Sequence, residues 1–139
     1  ARSGNVDVAR EIGQRLGLNY VFAPSYLSLV KGAGLEKHAP GDDTFGIHGN
    51  AIFSRHPLVD PLSIPLPNGK DLMRGYEKRL GSQRAIVATV NHPWGPFRAV
   101  CVHLDAHSTQ AHRKLQMEIV LDRVEALRPR LPVLVGGDW

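Results

Sequence analysis

The stretch that decides the fold closes the chain: "PVLVGGDW", residues 132–139. Val133, Leu134 and Val135 form a short uninterrupted apolar run, the pattern of a strand buried on both faces. Gly136 and Gly137 allow backbone to approach a ligand closely, where a side chain would collide. Asp138 follows them. A strand that delivers a carboxylate at its C-terminal end suits the ligand-binding edge of an α/β sheet.

Working upstream, "RAIVATVN" (84–91) and "FRAVCVHL" (97–104) are rich in β-branched and aliphatic residues and are separated by "HPWGP". That turn signal predicts a hairpin. Ser108 or Thr109 can cap a helix over 109–128, with Leu115, Ile119, Val124 and Leu127 as its apolar stripe and Pro129 and Pro132 at its exit. Strand, helix, strand at this spacing is a βαβ unit with a right-handed crossover, so its two strands are parallel. Their C-terminal ends, His103 and Asp138, then lie on one edge of the sheet, about 4.8 Å apart if the strands are neighbours.

A histidine can act as acid or base near neutral pH or hydrogen-bond a phosphoryl oxygen. An aspartate can hold a divalent metal or orient an attacking water. Spacing alone leaves a plainer reading open. A histidine at a strand end is more often simply hydrogen-bonded, and an aspartate after two glycines is more often a turn residue or helix cap.

The first half of the chain is less patterned. Residues 5–16 place Val8, Ile12 and Leu16 at helical spacing, with Asn5 as cap and Gly17 as stop. "LNYVFAP" (18–24) reads as a strand closed by Pro24, and "GNAIFSR" (49–55) as another. Between them, 31–49 reads as a long loop, whose Asp42–Asp43 pair is better explained as solvated charge than as metal ligands. The proline-rich stretch 57–83 reads as mostly irregular, with one helical turn in "KDLMRGYEKRL". Its basic cluster, Arg74, Lys78 and Arg79, reads first as a solvated face and second as a phosphate contact.

With 42% hydrophobic and 22% charged residues, the 139-residue chain is neither disordered nor collagen-like. No apolar run approaches the roughly 20 residues that span a bilayer. Cys101 is the single cysteine, which excludes an internal disulfide and a cysteine-cluster zinc site; it reads as a small buried hydrophobe. The formal charge of +4 suits an anionic partner such as nucleic acid or a phosphorylated lipid. No aromatic platform is interleaved with the basic residues, as a single-stranded nucleic acid would favour.

Three motifs in order, Gly49 to Arg55, then Val102-His103-Leu104 followed by Arg113 and Gln116, then Gly137-Asp138-Trp139, resemble the endonuclease/exonuclease/phosphatase superfamily. Members typically carry a Gly-Asn-Ala-Ile-Leu-Ser-Arg strand, a Thr-His-Leu strand end, an Arg-x-x-Gln helix and a Gly-Asp-Phe-Asn strand. The opening "REIGQRLGLNYVFAPSY" is similar to the segment after the family's catalytic glutamate.

The resemblance implies an α/β fold, part of a four-layer α/β/β/α sandwich with mixed sheets of the deoxyribonuclease I-like kind. It makes residues 1–139 a single incomplete domain, truncated at both ends, about the middle half of a complete one. It further implies Mg²⁺-dependent hydrolysis of phosphodiester or phosphomonoester bonds, with Mn²⁺ or Ca²⁺ as substitutes. The substrate would be nucleic acid, a phosphoinositide or another phospholipid headgroup.

By the same resemblance, His103 contacts the scissile phosphate and helps proton transfer, and Asp138 positions or activates water and can touch the metal. Asn50 in its strand motif reads as structural, and Arg113 and Gln116 on the crossover helix are explained by packing and hydrogen bonding at least as well as by catalysis. The family's metal-binding Glu, both its Asn residues, a later Asp and its Asp-His pair are absent from these residues, and Trp139 stands for the usual Phe. The isolated chain is therefore expected to be inactive, and its exposed strand edges to invite self-association. Two other readings remain: a non-catalytic binding or scaffolding module of the same fold, and an unrelated α/β domain matched by chance.

Overall fold

The computed structural model describes residues 6–32, 34–38, 40–41 and 46–139. In chain order these form α1 (Val8–Leu16), β1 (Asn19–Ser28), a short 3-10 turn at Gly34–His38, β2 (Ile47–Ser54), β3 (Leu58–Pro65), β4 (Arg79–Gly81), β5 (Arg84–Val90), β6 (Phe97–His103), α2 (Gln110–Ala126) and β7 (Val133–Asp138). The strands make two sheets, ordered β2-β1-β4 and β3-β5-β6-β7.

Alternation along the strands builds four layers. On β5, Ala85 and Val87 face α2, while Ile86, Ala88 and Val90 face the first sheet. The core under α2 joins Ile64, Leu66, Val100, Val102 and Leu104 to Val120 and Val124 of the helix. On the far side, α1 lies against β1, where Gly13 leaves room for the Tyr20 ring. The layer order is α1, first sheet, second sheet, α2. The β5–β6 hairpin is antiparallel and β6–β7 parallel, so the second sheet is mixed, as the sequence predicts.

Local chemistry sets the ends. Asp7 caps α1 by accepting the Arg10 N–H at 3.0 Å, and Gly17 closes it in the left-handed region at φ 61°. The expected cap, Asn5, lies outside the described residues, as does Asp42–Asp43. Thr109 caps α2 by accepting from the His112 N–H at 3.2 Å.

Four expectations are corrected. β1 runs through Pro24 to Ser28. Pairing with β4 starts only at Tyr26, so Pro24 has no partner on that side, and a register shift follows its pairing with Gly49 of β2. Residues 57–83 are irregular outside two strands, β3 and β4, that the sequence did not mark, and no helix forms there. β3 tolerates its prolines as an edge strand, with Pro61 inside a bulge where Asp60 has φ 49°.

The apolar face of α2 is rotated from the predicted stripe. Gln116, Val120 and Val124 are buried and Leu115 is exposed, because the face that meets the sheet runs 116–120–124. Finally, β7 is not buried on both faces. It lies at the end of the sheet order with no described strand or helix over its outer part, so Val133 and Leu134 are exposed.

Candidate active site

The parallel register pairs His103 directly with Asp138. Paired residues on neighbouring strands project to the same side, and both belong to the side turned toward the first sheet, with Cys101 and Gly136 one step back. The imidazole Nδ1 and carboxylate Oδ2 stand 3.9 Å apart, a loose ion pair if the ring is protonated. That gap exceeds a hydrogen bond. The two side chains are 44% and 76% exposed, so a ligand atom can reach both.

Gly137 makes the pairing feasible. Its φ of 136° lies in the region that favours glycine, and a Cβ there would collide with the Val102 carbonyl oxygen. The Leu104 N–H then donates to the Asp138 carbonyl at 2.9 Å, locking the two strand ends together. From the sequence, both glycines read as room for a ligand. For Gly137 the nearer cause is the approach of β6 itself.

Behind the edge lies a polar bracket that the sequence reading missed as a unit. Gln116 is fully buried, accepts the Asp105 N–H at 3.0 Å and donates to the Pro67 carbonyl at 2.7 Å. Asp105 accepts from the N–H groups of Gly69 at 3.2 Å and His107 at 3.1 Å. The Nε2 of His112 also stands 3.0 Å from the Pro67 carbonyl. One side chain thus ties the exits of β3 and β6 to the helix, two residues from His103. The signal was an amide on a helix face that carries Val120 and Val124 at its next two turns.

Arg113 donates to the Ser108 carbonyl at 2.8 Å, closing the helix entrance. The Asn50 amide donates to the Arg84 carbonyl and stitches the two sheets together. Both contacts match the structural readings of these residues. Arg79 of the basic cluster is engaged too: it donates to the Tyr26 hydroxyl at 2.9 Å, lies 4.6 Å from that ring's centroid and pairs with Glu77. Arg74 pairs at 3.5 Å with Asp71 on the surface. Cys101 is half-buried and burial pushes its thiol up, which suits a packing role.

For a divalent metal, Asp138 offers one exposed hard-oxygen ligand. Mg²⁺ is commonly held by one or two carboxylates, with water and substrate phosphate filling its other positions. Asp138 fits as one such ligand. Among the described residues no group of three or more His, Cys, Asp or Glu side chains could hold a metal by itself.

Over 95% of its length the chain superposes on the human Nocturnin catalytic domain, solved with a bound sulfate anion, at a TM-score of 0.61 and 23% identity. The fold is the deoxyribonuclease I-like α/β sandwich. The chain covers 46% of that domain. It is also 33% identical over 94 residues, 68% of its length, to the uncharacterized protein YbhP of Escherichia coli K12, and equally to YbhP of Shigella flexneri. It spans 34% of these curated relatives. No family model matches the chain. No helix among the described residues is long and apolar enough to cross a membrane.

Proposed function

We propose that the protein containing this chain belongs to the endonuclease/exonuclease/phosphatase superfamily and hydrolyses a phosphodiester or phosphomonoester with Mg²⁺. The observation that carries the reading is the in-register pair of His103 and Asp138 at the C-terminal edge of two parallel strands. The likeness to the Nocturnin domain supports it at the level of fold.

In this reading the His103 imidazole hydrogen-bonds a phosphoryl oxygen and holds a proton there as charge builds up in the transition state. The Asp138 carboxylate orients the attacking water and draws off its proton. A Mg²⁺ ion held in part by Asp138 would neutralise phosphate charge and acidify bound water; Mn²⁺ or Ca²⁺ would be its substitutes. The substrate is a nucleic acid or a phosphorylated lipid headgroup, in keeping with the net charge of +4. The remaining metal and transition-state groups would come from polypeptide outside these residues, so the 139-residue chain alone is inactive.

The test is hydrolysis of bis(p-nitrophenyl) phosphate and p-nitrophenyl phosphate by the full-length protein, with Mg²⁺ and with EDTA. Turnover that EDTA abolishes supports the reading. An intact, folded full-length protein that turns over neither these nor any nucleic acid or phospholipid with Mg²⁺, Mn²⁺ or Ca²⁺ would falsify it.

A further inference from the structure

At the other end of the same strands, Arg98 lies on the α2 side of the sheet, between Thr89 of β5 and Val133 of β7. Its N–H donates to the Pro132 carbonyl at 2.8 Å. The residue is only 5% exposed, yet among the described residues its guanidinium has no hydrogen bond and no ion pair. Its nitrogens are not sealed in either, since the only fully enclosed unpartnered side-chain atom among the described residues is Nε of Arg79. They look into a cavity of about 190 Å³ walled by Val124, Leu127 and Val133, with Arg130 and Glu125 at its exposed rim.

A buried arginine beneath a helix C-terminus would ordinarily be explained by the carbonyls above it. Here those groups have other donors. The Val124 carbonyl accepts from the Leu127 N–H, and Arg128 takes the carbonyls of Glu125 and Leu127. An unpaired buried cation is costly, and the guanidinium fork matches an oxyanion bidentately. Two guanidinium groups outweigh one carboxylate and the partial negative charge of the helix end.

We propose that this cavity is a binding site for a small oxyanion, phosphate or a short carboxylate, with Arg98 as its deep ligand and Arg130 as its outer arm. It lies at the opposite end of β6 from His103 and Asp138 and stands independently of the phosphoesterase reading.

The test is calorimetric titration of the full-length protein with inorganic phosphate and, separately, acetate. Parallel melting curves follow wild type, Arg98→Met and Arg130→Glu. Wild type should bind at least one of the two anions and melt higher in its presence. Arg98→Met should weaken binding at least about tenfold, the loss of one charge-assisted fork. It should also lose the anion-dependent rise in Tm while melting no lower than wild type without anion.

Arg130→Glu changes only an exposed side chain, so it tests the site even if Arg98→Met fails to fold, and it should also weaken binding at least about tenfold. A difference between the two anions identifies which of them the site takes. Binding of neither anion, or binding that both variants leave unchanged, overturns the proposal.

Discussion

β5 and β7 belong to one sheet, and both are largely apolar in sequence. On β5, Ala85 and Ala88 are 0% exposed and Ile86 and Val87 are 2% exposed; on β7, Leu134 is 64% exposed. β5 has a strand on each side, the first sheet over one face and α2 over the other. β7 has β6 on one side and, among the described residues, no strand on the other. Apolar content says what a strand can bury, and position in the sheet decides what it does bury. The same contrast divides the labour: the enclosed strands hold the sandwich together, and the open strand carries Asp138 to where a ligand can reach it.

The sharpest way to break this comparison uses the two adjacent glycines of β7. Gly137→Ala puts a methyl group against the Val102 carbonyl oxygen at a φ of 136°. It should cost about 4 kcal/mol, read as a drop in the urea midpoint. Gly136→Ala meets nothing within 4 Å and should change stability by less than about 1 kcal/mol. Equal costs would mean that the close β6–β7 approach is not what Gly137 serves.

Next comes truncation of the two apolar surfaces. Ile64→Ala, at a residue 1% exposed, should cost about 3 kcal/mol, whereas Leu134→Ala in the 139-residue chain should cost less than about 1. Repeating Leu134→Ala in the full-length protein sharpens the contrast. A cost that rises toward that of Ile64 would show that β7 gains a covering layer there.

Much of this was legible in the sequence. The hairpin, α2 with a cap at Ser108 or Thr109 and the parallel return to Asp138 followed from β-branched runs, a turn signal and helical spacing. They are local patterns linked by a chirality rule. That His103 and Asp138 share one sheet edge followed with them, whereas the adjacency of their strands came from the structure. What was not legible depended on neighbours far along the chain. Proline reads as a strand breaker unless one knows that β3 is an edge and that β1 has no β4 partner at Pro24. The partners of Gln116 cannot be named from the sequence, because Pro67 and Asp105 lie on other elements. The exposure of Leu134 cannot be seen from Leu134.

The buried amide gives a smaller effect that separates bracket from edge. Gln116→Leu leaves the Asp105 N–H without its acceptor and removes a donor from the Pro67 carbonyl. It should destabilise by about 2 kcal/mol and shift the amide resonances of residues 104–107 more than those of β7. A neutral outcome would show that water replaces the amide.

The smallest effect concerns Cys101, whose thiol burial pushes upward. Its alkylation should be slower than that of glutathione at pH 8 and accelerate as pH rises through a range above that of an ordinary thiol. Fast labelling at pH 8 would mean that the face shared with His103 is more open than β6 shows.

The most direct test of the central claim, that His103 and Asp138 form one site, is a double-mutant cycle on phosphodiester hydrolysis by the full-length protein. His103→Ala and Asp138→Asn should each lower kcat by roughly a hundredfold or more. The double variant should be little worse than the poorer single one, as for groups that act as a unit. Losses that multiply, or single variants that keep wild-type turnover, would contradict the account.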